Sequence, residues 1–400
     1  MGAADLDVTD RKAFPMPELG AAIRHEWALR PDTLIVNHGS YGATPKSVLA
    51  AQRAWQDRLE HQPTRFMTLE LPGLLRAAAA EMATFVGAAA EDVVFVENAT
   101  QACNAVLRSL HFKPDDDILV LSHGYGAVVK AAHYIAGRSS ARVTVAELPF
   151  PRGHDVEMVT CLEAAITPRT RLAVLDHITS PSAIVLPIAA MVAACHAKGV
   201  PVLVDGAHTP GQIDLDLPAL DADWYTGNAH KWLMAPKGCA FLWARRDRQH
   251  DLHPVTISHG YGAGYLAEFD WIGTRDPSAW LSVTAALAFY QRLGGGSLRA
   301  RNIALAAAAA TMLANRLGTE TGIGNATPCA MSVVRLPISG QITPEKTQAL
   351  RMRLFELGAD APIHPIGGQA WLRISAQAYN DMSDFNALAD LVTKLLADVA

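Results

Sequence analysis

From residue 93 to residue 205 the chain repeats one unit, a short apolar run followed by an amphipathic stretch, and this alternation constrains its fold more than any other feature. The apolar runs are 93–96, 118–121, 142–148, 172–176 and 202–205. Helical spacing fills the intervals from Asn98 to Leu110, from Gly126 to Ala136, near 155–166 and near 187–198. Parallel strands need a crossover long enough to hold a helix, so this spacing predicts a mostly parallel sheet covered on both faces. Two further runs, 224–226 and 239–243, are expected to bring the sheet to seven strands. The fold class is α/β.

The flanks follow another pattern. A short strand at 34–36 leads into the glycine-punctuated polar loop from Asn37 to Gly42. Pro45 then opens a helix carrying Val48, Leu49, Gln52, Trp55 and Leu59, and a second helix covers about 74–85. Residues 14–17, Phe-Pro-Met-Pro, read as an extended arm. After Gly273 come helices at 276–292 and 298–317, a strand at 331–336, a helix at 345–357, two short strands and a closing helix at 382–399. We expect a large domain over 45–290 and a smaller α+β domain over 291–400, which the segment 1–44 joins. A string reading Ser-His-Gly-Tyr-Gly occurs at 122 and again at 258, but its surroundings differ and it is no internal repeat.

Composition excludes several classes of function. Half of the 400 residues are hydrophobic, enough for a core of this size. A net charge of −5 gives no broad attraction to nucleic acid or to a membrane. Five scattered cysteines without a Cys-x-x-Cys spacing indicate neither a disulfide framework nor a zinc site, and no metal is expected. The first residues lack a basic-then-apolar leader, and no run of eighteen apolar residues occurs, so a cytoplasmic location is expected.

Two residues carry chemistry. Lys231 sits in the turn between the last two strands, after Thr226, Gly227, Asn228 and His230 and before the apolar patch Trp232, Leu233, Met234. A turn lysine is ordinarily a solvated charge, but apolar neighbours and a nearby cation lower its pKa and make it a nucleophile. Asp205 ends the run 202–205. Asp-Gly is a common turn signal, yet three apolar residues before the carboxylate argue that it is buried and in need of a cation. Ligands of open α/β sheets bind outside the carboxyl ends of the strands. A strand-end Asp and a lysine on a nearby turn suit pyridoxal 5′-phosphate (PLP), the lysine as the Schiff-base partner and the carboxylate holding the pyridine nitrogen protonated.

The segments 204–208 (Val-Asp-Gly-Ala-His) and 228–231 (Asn-Ala-His-Lys), in this order, resemble the class V branch of fold-type-I PLP enzymes, and within it the isopenicillin N epimerase-like family. The resemblance runs from Asn37 to Asn380 and implies the PLP-dependent transferase fold. It also implies catalytic roles for Lys231, His208 and Tyr125, with His208 at the cofactor's phenolic oxygen or the reacting centre. Its phosphate would rest on Ala99, Thr100 and Gln101 at a helix start, facing Asn228 and His230; an N-cap is the plainer use of such residues. Thr274 resembles a segment that reaches the neighbouring subunit's phosphate, which would make the enzyme a homodimer with shared active sites, unless Thr274 only caps a helix. His123 and Tyr125 are both placed to stack on the cofactor ring, and alignment on Ala127 and Val128 favours Tyr125. Ser180 is a further candidate for the phenolic oxygen. Arg373 resembles the clamp for an amino-acid carboxylate, a task that suits a guanidinium. Asn37, His38, Tyr41 and Arg65, and also His259 and Tyr261, are candidate substrate contacts.

The common step implied is removal of an amino acid's α-proton. Return of a proton from the opposite face makes an epimerase, which is the leading expectation; loss of a β-substituent makes a carbon–sulfur lyase, and protonation at the cofactor carbon makes a transaminase. No cysteine lies between Met331 and Arg373, so a persulfide-forming desulfurase is not expected. A non-catalytic PLP-binding regulator would ordinarily add a basic DNA-binding module before the fold, and none precedes Leu34.

Overall fold

A computed structural model describes residues 17–151, 153–324 and 327–399. Of the expected arm at 14–17 only Pro17 falls within them. The strands are β1 (Leu34–Ile35), β2 (Val93–Val96), β3 (Asp117–Leu121), β4 (Arg142–Ala146), β5 (Thr170–Asp176), β6 (Val202–Asp205) and β7 (Trp224–Asn228). They continue with β8 (Ala240–Ala244), β9 (Met331–Arg335), β10 (Ala359–Asp360), β11 (Ile363–Ile366) and β12 (Gln369–Ser375).

Seven of them form the main sheet, in the order β2-β8-β7-β6-β5-β3-β4. β8 is antiparallel to both neighbours, and the remaining pairs are parallel. The cause is local: the connection 229–239 between β7 and β8 carries no helix, and without a crossover the two strands can only pair antiparallel. Successive side chains leave opposite faces of each strand. Val93, Phe95, Leu119, Leu121, Val204 and Phe241 enter one apolar cluster, and Val94, Val96, Ile118, Val120, Leu203 and Leu242 enter another. The second face is covered by the helices Ala99–Ser109 and Gly126–Ser139, the first by Leu71–Phe85, Ile188–Ala197 and Val283–Arg292. Continuous apolar strands are what a sheet buried on both faces requires.

The two flanks meet. β1 pairs in parallel with β10, Leu34 opposite Ala359 and Ile35 opposite Asp360. Beside this pair, β11, β12 and β9 form an antiparallel sheet. The helices Gly296–Leu317, Pro344–Glu356 and Met382–Val399 pack on these strands around a separate apolar cluster that includes Val36, Leu313, Leu372 and Phe385.

Three local expectations are corrected. The stretch Asn37 to Gly42 contains a helical turn, His38–Tyr41, rather than loop alone. Gly42 closes it at φ 70°, with its N–H on His38 O, and a Cβ there would run into the carbonyl of His230. The helix expected at 276–292 is two, Ser278–Leu281 and Val283–Arg292. They part at Ser282, whose hydroxyl donates to Ser278 O at 2.7 Å, a back-bond that competes with regular helix geometry. Between Leu357 and Met382 stand three short strands, not two. No helix among the described residues is long and apolar enough to cross a membrane.

Candidate active site

The carboxyl ends of β5 and β6 and the turn after β7 open on a cavity of about 460 Å³. Asp205 ends β6 and lines it, and Asp176 ends β5 in register beside Asp205. Asp205 Oδ1 accepts the Ala207 N–H at 2.9 Å, and Asp176 Oδ1 accepts the Tyr125 N–H at 3.1 Å. Burial pushes both carboxyls above the ordinary range, and their mutual repulsion lifts Asp176 further. Sequence reasoning missed Asp176, although the strand-end rule that singled out Asp205 applies to it equally. Gly206 is required by a close approach: a Cβ would overlap the Tyr225 ring. That ring is fixed by hydrogen bonds of its hydroxyl with His177 Nδ1 at 2.9 Å and Thr209 Oγ1 at 2.7 Å.

Lys231 is buried and its Nζ lies 3.0 Å from His208 Nε2. On the other side of that ring the Trp232 indole donates to Nδ1 at 3.4 Å. An indole N–H can only donate, so Nδ1 accepts and the proton of a neutral ring rests on Nε2. Burial holds His208 neutral, its pKa well below the ordinary value. Nε2–H therefore donates to the lysine, which must offer a lone pair. Burial first, and the Arg373 charge second, push the Lys231 pKa down to about 7. About half of the amine is free base at pH 7, far more than of an exposed lysine.

Thr100, Asn228 and His230 line the same cavity. The Ala99 N–H donates to Asn228 Oδ1 and the Gln101 N–H to Asn98 Oδ1, both at 2.9 Å. Those two amides, expected to face a phosphate, thus have protein partners; the Thr100 N–H and hydroxyl have none among the described residues. His230 is held by its Nδ1 against Cys239 O at 3.0 Å, and burial lowers its pKa to about 4. Lys237, which the sequence reading placed only in a turn, also lines this cavity.

Arg373 is buried in β12. Its Nη1 donates to Ser180 O at 2.6 Å and Ser180 Oγ at 3.2 Å, and its Nη2 to Ser40 Oγ at 2.9 Å and Asn37 Oδ1 at 3.2 Å. Nε is buried without a partner. Burial lowers the guanidinium pKa to about 10, which leaves it charged. None of these partners is an anion, and a buried cation without one is costly unless a ligand supplies it. Ser40 and Ser180 line the cavity, so Arg373 stands one hydroxyl behind its wall.

The other candidates separate. Tyr41 lines the cavity and is 71% exposed. Tyr125 lines it too, while His123 is buried beneath, Nδ1 2.7 Å from Ser182 Oγ and its ring against Phe150. His38 contacts Lys231 O and Tyr379 Oη, each at 3.0 Å, and Asn37 donates to Asp360 Oδ1 at 2.9 Å; both brace the site from behind. Arg65 does not line the cavity; its exposed side chain pairs with Glu70 at 3.2 Å. His259 and Tyr261 are exposed and do not line it. Thr274 is exposed in a different cleft, beside Gln56, Pro63 and Met67. No cysteine lines the cavity among the described residues; the Cys329 thiol is buried and pushed up to about 12. No group of His, Cys, Asp and Glu suited to a metal occurs among them either.

Comparison with known proteins adds three findings. The family model described as aminotransferase class V matches residues 43–388. The chain is 34% identical to an Arabidopsis thaliana protein named "Probable L-cysteine desulfhydrase, chloroplastic", over 92% of this chain and 84% of that one. It is 31% identical to isopenicillin N epimerase of Streptomyces clavuligerus, over 94% and 98%. Among solved structures, a C-DES variant with glycine covalently linked to its PLP cofactor superposes with a TM-score of 0.77 at 22% identity, over 92% of this chain and 98% of the other.

Proposed function

This chain belongs to the class V aminotransferase family of PLP-dependent enzymes, and from that premise we propose that it releases sulfide from L-cysteine or a close β-thiol amino acid. PLP is its cofactor, and the residues fit it: a buried lysine of lowered pKa, a strand-end carboxylate in register with a second one, and the unpartnered Thr100 amide at a helix start. When bound, the cofactor supplies an electron sink for a carbanion at the substrate's α-carbon.

The chain's own residues then divide the work. Arg373 offers the buried charge for the substrate carboxylate, and Ser40 and Ser180 yield their bonds to it. Lys231 Nζ would take the α-proton of the bound substrate, with His208 Nε2–H steadying its lone pair. The β-carbon–sulfur bond breaks as its electron pair leaves with sulfur. What remains hydrolyses with one water to pyruvate and ammonium.

The observation that carries this reading is that Lys231, its pKa pushed down to about 7, lies against His208 as the buried amine of the cavity, while the other lining lysine, Lys237, is bonded to Thr44. The hydroxyl of Tyr125, which also lines the cavity, has its pKa raised by burial, which makes it a poor proton acceptor. Elimination needs one base, whereas two-base epimerisation needs a partner on the far face. Epimerisation stands as the second reading, because Tyr125 is still able to donate a proton and isopenicillin N epimerase is among the relatives.

The test is L-cysteine in deuterated water with the purified holoenzyme and with Lys231→Ala. Stoichiometric sulfide, pyruvate and ammonium from the holoenzyme alone support elimination. Deuterium at the α-carbon with loss of optical rotation and no sulfide would overturn it in favour of epimerisation.

A further inference from the structure

The phosphate end of the cavity has a charge to meet and few cations to meet it. A phosphate monoester carries about −1.5 to −2 near pH 7. Thr100 and Asn228 are uncharged, and His230 is neutral at that pH because burial and the adjacent lysines push it down to about 4. Its Nδ1 faces a carbonyl, which can only accept, so the neutral ring carries its proton there and leaves Nε2 as an acceptor that a phosphate cannot use. The start of the helix Ala99–Ser109 contributes about half a positive charge. Lys231 is committed to the aldehyde. Among the described residues, Lys231 and Lys237 are the lysines that line this cavity, and no arginine does.

Lys237 is placed for the task. It stands between Pro236 and Gly238, and Gly238 also lines the cavity. Two residues on, the Cys239 carbonyl receives both the N–H of His230 and its ring, each at 3.0 Å, so this turn lies against the phosphate-side histidine. The Gly238 carbonyl and the Val96 carbonyl share the Trp280 indole N–H, at 3.0 and 3.2 Å, which ties the same turn to the strand leading into Asn98 and Thr100. The Lys237 ammonium has one protein partner, Thr44 Oγ1 at 3.3 Å, and two protons to spare. Glu97, the carboxylate on this side, faces Arg275 at 3.8 Å.

We propose that Lys237 is a cofactor-binding residue whose ammonium neutralises the phosphate of PLP. The inference rests on PLP being the occupant of this cavity. It assigns Lys237 to the cofactor and not to the substrate or to the turn alone, so its effect must follow the phosphate group itself.

The experiment compares equilibrium binding of PLP and of pyridoxal, which lacks the phosphate, to the full chain stripped of cofactor. Wild type, Lys237→Gln and Lys237→Arg are followed by the absorbance of the lysine–cofactor adduct. Lys237→Gln is expected to weaken PLP about ten- to a hundredfold, the size of a lost hydrogen bond to a charged group, and to leave pyridoxal within about twofold. Lys237→Arg is expected to restore most of the difference. Inorganic phosphate should compete with PLP for the wild type and much less for Lys237→Gln. Equal weakening of both ligands would mean a structural role and overturn the proposal, as would no change in either. Failure of the wild type to bind PLP at all would instead sink the cofactor assignment, and the proposal with it.

Discussion

Trp232 governs the site without touching the reacting atoms. By donating to His208 it fixes which ring nitrogen carries the proton, and so which partner Lys231 can accept from. With the lysine pKa at about 7, against 10.5 for an ordinary lysine, the nucleophilic form grows as pH rises through neutrality. The rate at which the stripped chain captures pyridoxal should follow, half-maximal near pH 7 and falling about tenfold per unit below it. Arg373 is the second cause of that depression, so Arg373→Gln should move the midpoint to higher pH; an unmoved midpoint would show that burial alone sets it. At this scale the sequence was legible where a residue's neighbours announced its burial, as at Asp205 and Lys231. It was opaque where function depends on approach across the fold: nothing local shows that His38 braces the lysine turn or that Lys237 reaches the cavity.

The helix Ala99–Ser109 shows how an element serves the site. Asn98, in extended conformation, accepts from Gln101 N at 2.9 Å as an N-cap, and Asn228 from β7 takes the Ala99 amide. Capping and a phosphate seat, which the sequence left as alternatives, are compatible because different amides serve each. Asn98→Ala should cost about 1 kcal/mol of stability in urea unfolding, the usual worth of such a cap. An effect on PLP affinity well beyond that would mean that the helix start itself shifts. Strand positions were readable because strands buried on both faces are largely apolar, as β2, β3, β6 and β8 are; the edge strand β4 is half-exposed and mixed, and β7 is buried despite its polar residues. The helical turn at His38–Tyr41 was not, since it is set by the packing of Gly42 on the lysine turn some 190 residues away.

Across the whole molecule, Thr274 lies outside its own cavity, which fits the proposal that it serves a partner's phosphate in a homodimer. If it does, mixing inactive Lys231→Ala with a Thr274 variant of weak cofactor affinity should yield hybrid dimers. One of their two sites would keep both wild-type residues, and about a quarter of full activity is expected at statistical exchange. No recovery under conditions where subunits exchange would place Thr274 in its own subunit's cleft alone. The pairing of β1 with β10, and of Asn37 with Arg373 across 336 residues, bears on the order of events during synthesis. Chains emerge at about 5–20 residues per second and fold from their N-terminal side as contacts become available. The seven-stranded sheet, its lysine and its strand-end carboxylates are all translated by Ala244, long before β12 exists. A nascent chain that has made the sheet but not β12 has its lysine and strand-end carboxylates yet no Arg373 to grip a substrate, so the late strand doubles as a quality check on the reactive centre.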